Sequence, residues 1–155
     1  MQSPLRIRRY QPADWDEWFR MNCALFPDFS VDEDVAEMRA TLERTDAAVF
    51  VLERAGGSLA GYIEVGERSI ADGCPSGAVG YIEAWYVDPD VRRSGNGRAL
   101  LQAAEDWARR CGYAEMASDA LIDNDVSHRA HEHSGYTEVG RVVTYRKDLR
   151  LSNND

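Results

Sequence analysis

The stretch from Tyr81 to Leu101, YIEAWYVDPDVRRSGNGRALL, constrains the fold most, because it joins a strand to a helix through a short glycine-containing turn. Its first residues are mostly β-branched or aromatic, a composition typical of a half-buried strand. Pro89 ends this strand, because proline has no N–H to donate to a neighbouring strand. An apolar, alanine-rich helical pattern follows Gly97. The sequence therefore predicts a strand, a turn and a helix in immediate succession.

The turn from Arg92 to Gly97 has the properties of an anion-binding site. Gly95 and Gly97 lack a Cβ, so the backbone can adopt positive φ and approach a ligand closely. The first N–H groups of the following helix have no intrahelical partner and lie at the positive end of its dipole, which suits a phosphate. Arg92 and Arg93 add positive charge. The turn is neither a Walker A loop nor a GxGxxG loop, since no Lys-Ser/Thr follows and the third glycine is absent. The alternative is an ordinary strand-to-helix turn with arginines on the surface.

The length of 155 residues fits one domain with a proper core, and we expect it to span residues 1–149, with a frayed tail at 150–155. No apolar run approaches the length of a membrane span, and the N-terminus lacks the apolar region of a signal peptide. We therefore expect a cytoplasmic protein that has no membrane partner.

The formal net charge of −9 limits the partners. Nucleic-acid binding needs a basic face, so this balance argues against DNA or RNA as a partner. It favours a cationic substrate, which acidic side chains in a cleft would attract. The alternative is that the charge serves solubility alone.

Neither the cysteines nor the histidines form a metal-binding pattern, and we expect no metal. The cysteines are scattered and odd in number, as expected of reduced thiols: Cys23, Cys74 and Cys111. The histidines are close together but lack a supporting Cys or carboxylate at zinc spacing, and we expect a half-exposed helix face: His128, His131 and His133.

Periodicity predicts the element order β-α-α-β-β-β-α-β-α-β, in which the last strand is either single or split into a pair. The predicted strands cover residues 4–10, 47–53, 59–65, 81–87, 113–118 and 137–149. The predicted helices begin at Pro12, after Ser30, at Gly97 and at Asn124 or Asp125. A polar loop of fifteen residues, 66–80, separates the third and fourth strands, and such a long loop is usually functional or mobile.

The pattern Arg92-x-x-Gly95-x-Gly97, placed between Val-Asp-Pro and a long helix, resembles the pyrophosphate loop of the GCN5-related N-acetyltransferases (GNAT), which bind acetyl-CoA. The predicted element order matches that family over nearly the whole chain. Four segments resemble the aminoglycoside 6′-N-acetyltransferases of the family: YIEAWYV, Glu115–Asp119, Asn124–Ser127 and TYRKDL. The resemblance implies an α/β (α+β) fold with a mixed, mostly antiparallel sheet flanked by helices. Two parallel strands would splay apart to form the acetyl-CoA cleft.

The resemblance assigns three residues to the aminoglycoside. Glu83 and Asp119 would face the antibiotic, and Phe26 would stack on a sugar ring. Glu83 would also hold the substrate ammonium and take its proton, directly or through water. An unpaired carboxylate in an apolar strand is costly, so Glu83 either pairs with a cation or faces a wet cleft. Asp119 follows a predicted strand, but Asp is also a common turn residue.

The resemblance assigns a second set of residues to acetyl-CoA: Trp85, Tyr86, Val87, Arg92, Arg93, Ser94, Gly95, Asn96, Gly97 and Asn124. The backbone from Trp85 to Val87 would pair with the pantetheine amides, and an N–H near Val87 would polarise the thioester carbonyl. Tyr145 is the candidate general acid for the leaving thiolate. The alternatives are core packing for the aromatic residues, a helix cap for Asn124 and a packed hydroxyl for Tyr145.

The chain departs from the family at three places, because related enzymes often have a Trp at the position of Phe26, a Tyr near Ile70 and a Glu near Gly140. Ile70 and Gly140 cannot supply polar contacts. A GNAT enzyme for another small amine, such as a polyamine or a protein N-terminus, is therefore the second hypothesis. A non-catalytic protein that binds acetyl-CoA or the drug is the third, against which the candidate base Glu83 argues. The resemblance also implies a homodimer with C-terminal strands at its interface.

Overall fold

The sheet of the computed structural model, which describes residues 4–150, has five strands that lie side by side in chain order. The strands are β1 (Arg6–Arg9), β2 (Ala47–Glu53), β3 (Leu59–Arg68), β4 (Val79–Val87) and β5 (Met116–Ser118). The α-helices are α1 (Trp15–Leu25), α2 (Val31–Glu43), α3 (Asn96–Arg110) and α4 (Asp125–His133). Single 3₁₀ turns, Pro12–Asp14 and Pro89–Val91, precede α1 and the turn before α3. Neighbouring strands from β1 to β4 are antiparallel, and β4 pairs with β5 in parallel. The predicted mixed, mostly antiparallel sheet is confirmed.

Helices cover both faces of the sheet. The stripe of α3 that faces it contains Leu100, Leu101, Ala104 and Trp107, whose spacing of three or four residues places them on one helix face. On the opposite face, α1 contributes Trp18 and Met21, and α2 contributes Met38. Strand β2 is buried on both sides as a result, which explains its continuous apolar run. Within the residues described, no helix combines the length and apolar character needed to cross a membrane.

Two predicted boundaries are corrected by the backbone pairing. The hairpin of β3 and β4 continues to the pair Arg68–Val79, so the connection predicted at residues 66–80 is limited to 69–78. Strand β5 contains three residues, although the pattern predicted a strand over 113–118. Its beginning is delayed because the Tyr113 amide still donates to the Ala108 carbonyl, which holds that part of the chain against the end of α3.

The strand pair predicted over residues 137–149 is wrong within the isolated chain. Val139, Val142 and Val143 are exposed, and the Tyr145 side chain is 92% exposed. The spacing of the apolar residues is that of a strand, but a strand forms only where a second strand accepts and donates its hydrogen bonds. The frayed tail predicted at 150–155 lies, apart from Arg150, outside the described residues.

Candidate active site

Strands β4 and β5 part after one short stretch of pairing, and we call the gap between them the cleft. The two strands pair at Gly80–Met116, Tyr81–Ala117 and Ile82–Ser118, and β5 then ends. Strand β4 continues to Val87, so its backbone has an open edge from Glu83 to Val87 on the side where β5 would lie.

A β-bulge lies at the start of this open edge. Glu64 of β3 pairs with Ala84, and the next residue, Val65, pairs with Ile82. Glu83 is therefore the extra residue of β4, without a partner in the ladder. Bulges change the direction of side chains and are common beside active sites. The bulge places the Glu83 carboxylate at the point where β4 and β5 separate.

The same bulge decides which backbone N–H groups face the cleft. Before it, the Gly80 amide donates to the Glu115 carbonyl on the β5 side at 3.1 Å. After it, the Asp88 amide donates to the Ala60 carbonyl on the β3 side at 2.7 Å. Amides alternate sides along a strand, so one extra residue reverses the alternation. The N–H groups of Trp85 and Val87 consequently point to the open edge.

The turn after β4 has the backbone that an anion-binding loop requires. Arg93 and Gly95 have φ values of 61° and 82°. The first N–H that bonds back into α3 is that of Ala99, which donates to the Gly95 carbonyl. The N–H groups of Asn96, Gly97 and Arg98 precede it and have no helical acceptor. A Cβ at Gly95 would meet no atom within 4 Å, so this turn borders open space.

Gly97 differs from the prediction in its backbone conformation. It lies in α3 without a positive φ, and a Cβ there would be 3.6 Å from the Trp85 ring, an ordinary contact. Only Gly95, of the two glycines predicted to free the turn, is required by the backbone conformation.

Side-chain hydrogen bonds attach this turn to β4. Trp85 donates from Nε1 to the Gly97 carbonyl at 3.0 Å, and Arg92 donates from Nε to the Val87 carbonyl at 2.7 Å. Asn96 donates from Nδ2 to the carbonyl of Val91 at 2.9 Å. These bonds connect the open edge of β4 to the N-terminus of α3, so the two parts of the cleft form one preorganised unit.

Asp88, which follows β4, anchors the same region to the body of the domain. Its carboxylate accepts from Arg20 of α1 at 3.0 and 3.1 Å and from Arg54 at 3.2 Å. Burial raises the pKa of the Asp88 carboxyl, but the hydrogen bonds from Arg20 and Arg54 outweigh it, so the pKa lies below its usual value. No local pattern in the sequence indicated this ion-pair network.

Glu83 and Asp119 belong to one cluster at the mouth of the cleft. Arg68, the last residue of β3, donates from Nε and Nη2 to the two oxygens of Glu83 at 2.9 and 2.7 Å. The Arg68 guanidinium lies 3.5 Å from the centre of the Tyr81 ring. The Tyr81 hydroxyl in turn donates a hydrogen bond to Asp119. Burial and then this hydrogen bond raise the pKa of Tyr81. We name these residues the Arg68 cluster: Arg68, Tyr81, Glu83 and Asp119.

The environment of Glu83 combines the two possibilities that the sequence left open. Its side chain pairs with a cation and keeps 26% of its surface exposed. Neither Arg68 nor the Tyr81 hydroxyl was among the predicted site residues. Tyr81 is two residues before Glu83 in the strand, a spacing that favours one face, but no feature of the sequence indicated Arg68.

His131 was also missed as a site residue. Its Nδ1 lies 2.7 Å from the Ser127 carbonyl, which can only accept, so this nitrogen carries the hydrogen. In the neutral ring Nε2 then accepts from the Ser118 hydroxyl at 2.8 Å. The ring packs edge-on against Trp85, with centroids 5.5 Å apart. His131 therefore connects α4 to both β4 and β5. In the sequence, the predicted end of a strand at Ser118 was the feature that could have indicated this contact.

Other predicted site residues lie outside the Arg68 cluster and the turn. The Asn124 side chain accepts from the Ser127 amide at 3.1 Å and caps α4, as its alternative interpretation held. Tyr86 is buried in the core between the sheet and α1, and Phe26 is exposed at the end of α1. The exposed Tyr145 makes no hydrogen bond from its hydroxyl to any residue between 4 and 150.

Comparison with known proteins gives a consistent result. The family model described as the Acetyltransferase (GNAT) family matches residues 15–136. The chain is 40% identical to an "Aminoglycoside N(6')-acetyltransferase type 1" of Klebsiella aerogenes, covering 95% of this chain and 98% of the relative. A protein of the same name from Stenotrophomonas maltophilia is 38% identical, covering 94% of this chain and 95% of the relative.

Two solved structures extend this comparison. AAC(6')-Iy in complex with the bisubstrate analog CoA-S-monomethyl-acetylneamine superposes with a TM-score of 0.87 at 29% identity, covering 95% of this chain and 100% of that one. The aminoglycoside 6'-N-acetyltransferase AAC(6')-Ih of Acinetobacter baumannii gives a TM-score of 0.85 at 28% identity, covering 94% of this chain and 99% of that one.

Proposed function

The chain belongs to the acetyltransferase (GNAT) family, and we propose that it transfers the acetyl group of acetyl-CoA to the 6′-amino group of aminoglycoside antibiotics, which would confer resistance. The names of its relatives support this substrate, as does the CoA–aminoglycoside conjugate bound to AAC(6')-Iy.

The observation that carries the proposal is the position of Glu83 and Asp119. They lie on β4 and directly after β5, at the point where the two strands part, beside the open edge of β4. Two carboxylates at the mouth of a cleft suit an acceptor with several ammonium groups. The net charge of −9 would attract such a polycation over a longer range.

The residues present fit acetyl-CoA. The N–H groups of Asn96, Gly97 and Arg98, with the nearby charge of Arg93, suit its pyrophosphate. The open edge from Trp85 to Val87 offers backbone groups to the pantetheine amides, as an added strand would. When bound, acetyl-CoA supplies the activated acyl group.

The chain's own residues would supply proton removal and polarisation. Glu83 lies where it can hold the substrate ammonium and take its proton, directly or through a water molecule. The Val87 N–H points to the open edge and would polarise a carbonyl placed there. Cys74 packs beside Tyr81, and burial raises the pKa of its thiol, which disfavours the nucleophilic thiolate. Cys23 lies on α1 and Cys111 follows the C-terminal end of α3, so we propose direct attack by the amine without an acyl-enzyme.

We further propose that a second copy of the chain covers residues 137–149. This segment has the apolar pattern of a strand and exposes Val139, Val142 and Val143. Strand pairing in a homodimer would bury these side chains and satisfy the segment's backbone groups. In that arrangement Tyr145 would be ordered, as a general acid must be. Light scattering on the purified protein tests the dimer, and a monomer at micromolar concentration would contradict it.

A different acceptor amine is the second candidate function, since Ile70 is exposed and Gly140 has no side chain where the family has polar groups. A polyamine or a protein N-terminus would then be acetylated by the same residues. A non-catalytic acetyl-CoA- or drug-binding protein would show no turnover with any amine. We place the protein in the cytoplasm, where acetyl-CoA is available.

The experiment that tests the proposal is thiol release from acetyl-CoA by the purified protein, with and without kanamycin or tobramycin. We expect release that depends on the aminoglycoside, and a product acetylated at the 6′ nitrogen. Thiol release with polyamines or an N-terminal peptide, and none with either drug, would establish the second candidate instead.

A further inference from the structure

Arg68 is the cation paired with the candidate base Glu83, and no catalytic step accounts for its role. We propose that Arg68 determines substrate specificity: its guanidinium occupies the place of one substrate ammonium group, and a substrate must displace it to reach Glu83. The inference rests on the proposed function, because it concerns the acceptor subsite of that reaction.

The contacts of Arg68 are those expected of a bound cationic ligand. Its guanidinium donates two parallel hydrogen bonds to Glu83, at 2.9 and 2.7 Å, a charge-assisted fork. It also lies 3.5 Å from the centre of the Tyr81 ring, well inside the range of a cation–π contact. A carboxylate together with an aromatic face is the arrangement by which proteins bind ammonium groups. Arg68 therefore uses the two groups that an acceptor amine would need.

The position of Arg68 allows it to leave. Its side chain is 43% exposed, and β3 ends at this residue, before the connection at 69–78. Exposed ion pairs are weak, because water screens them and two long side chains must be ordered. The Arg8–Asp14 pair near the other edge of the sheet is far more buried, as expected of an ion pair with a structural role.

Asp119 is the other carboxylate near Arg68, but it accepts its hydrogen bond from the Tyr81 hydroxyl, whereas Glu83 accepts both hydrogen bonds from Arg68. Arg44, the other cation near Glu83, is held by Asp46 at 2.8 Å and by the Glu67 carbonyl at 3.1 Å. The Glu64 carboxyl accepts from Thr41 at 2.9 Å, and burial raises its pKa, which favours its neutral form. Glu83 is thus the carboxylate that both Arg68 and a substrate would use.

This competition would select for polycations. A monoamine replaces only the contact that Arg68 loses, so its net gain in binding free energy is small. A polycation retains further attraction to Asp119 and to the net negative charge of the chain after the exchange. We expect Arg68→Gln to lower KM for tobramycin about 3- to 10-fold, the combined effect of an exposed ion pair and a cation–π contact. KM for acetyl-CoA should not change.

The experiment compares steady-state kinetics and tobramycin binding by calorimetry for the parent, Arg68→Gln, Arg68→Met and Arg68→Lys. The Lys variant keeps the charge but loses the fork, so its affinity for tobramycin should lie between those of the parent and the two neutral variants, which should bind tobramycin more tightly. Arg6→Gln is the control, because Arg6 also donates from Nε and Nη2 to a glutamate, Glu53, at the far edge of the sheet. In a Glu83→Gln background, removal of Arg68 should no longer tighten binding. Thermal melting checks that each variant is folded.

The outcomes distinguish the inference about Arg68 from the proposed function. If the parent acetylates tobramycin but the neutral variants bind it equally or more weakly, Arg68 supports the site and the inference is wrong, while the proposed function stands. If the parent neither binds nor acetylates tobramycin, both are overturned. Because displacing Arg68 costs every amine the same free energy, small monoamines that bind at Glu83 should gain by the same factor as tobramycin. If the neutral variants gain for tobramycin but not for monoamines that the parent accepts, the exchange at Glu83 is contradicted.

Discussion

Replacing Glu83 by Gln removes the candidate base while keeping its shape. Gln is nearly isosteric, and its amide oxygen still accepts a hydrogen bond from Arg68, so the bulge of β4 should persist. The variant loses the negative charge that holds the substrate ammonium and the oxygen that takes its proton. The expected result is a large loss of turnover in a protein that remains folded.

The expected losses of activity and of stability in Glu83→Gln both follow from the position of Glu83. A positioned general base contributes typically 10²- to 10⁴-fold, or about 2.7–5.4 kcal/mol in activation free energy. The ion pair to Arg68 is 43% exposed on the arginine side and 26% exposed on the glutamate side. Such pairs contribute about 0–1 kcal/mol to stability, so the melting temperature should fall by no more than about 4 °C. Activity and stability should therefore separate clearly.

The assay is aminoglycoside-dependent thiol release, with acetyl-CoA binding measured separately by calorimetry. Glu53→Gln is the matched control, since Glu53 is 21% exposed and pairs with Arg6 at 2.8 Å and Arg8 at 3.2 Å. It should lose a comparable amount of stability and no activity. Acetyl-CoA binding should remain within about twofold of the parent in both variants, because neither residue contacts the turn before α3.

Two results would refute this reasoning. If Glu83→Gln keeps kcat within threefold of the parent, Glu83 is not the base. If Glu53→Gln loses activity to the same extent, the loss reflects the stability of the sheet and says nothing about the cleft.

Three further predictions concern the framework of the cleft. Gly95→Ala forces an alanine to a φ of 82°, a strain that costs about 1 kcal/mol. Calorimetry should show acetyl-CoA binding weakened severalfold, and unchanged binding would contradict this role of the turn. Gly61→Ala places a Cβ 2.7 Å from the Tyr86 carbonyl and should destabilise the protein by about 1–3 kcal/mol in urea unfolding, whereas Gly56→Ala, with open space, should not. The lowered pKa of Asp88 stabilises the fold above about pH 4, and this contribution is lost as the pH falls through the folded-state value. Asp88→Asn should therefore be less stable at pH 7 and should lose less stability on acidification, which urea midpoints at pH 7 and 3 would show.

Features that depend on interactions within a few residues were predictable from the sequence, and features that depend on distant residues were not. The helix stripe of α3 and the turn at Gly95 were predictable, because periodicity and backbone freedom act within a few residues. The order of helices and strands along the chain, up to α4, followed from the same local patterns. The segment 137–149 was not predictable in the same way, because its strand pattern specifies a pairing surface without specifying the partner.

The same distinction between local and long-range interactions applies to the candidate site. Glu83 and Asp119 were identified through the family resemblance, and the structure shows the contacts that connect them. Arg68 reaches Glu83 across 15 positions, and Tyr81 reaches Asp119 across 38. No local pattern encodes such contacts, since each depends on how two strands are aligned.

By itself, the sequence determined an acidic chain built around a strand, a glycine-containing turn and a helix, because each of these depends on neighbouring residues. The tertiary structure decided which side chains meet at the mouth of the cleft and which amides face it. Both depend on strand register, in which a shift of one residue moves every side chain to the opposite face. The bulge at Glu83 is such a shift, and it turns the amides of Trp85 and Val87 toward the cleft.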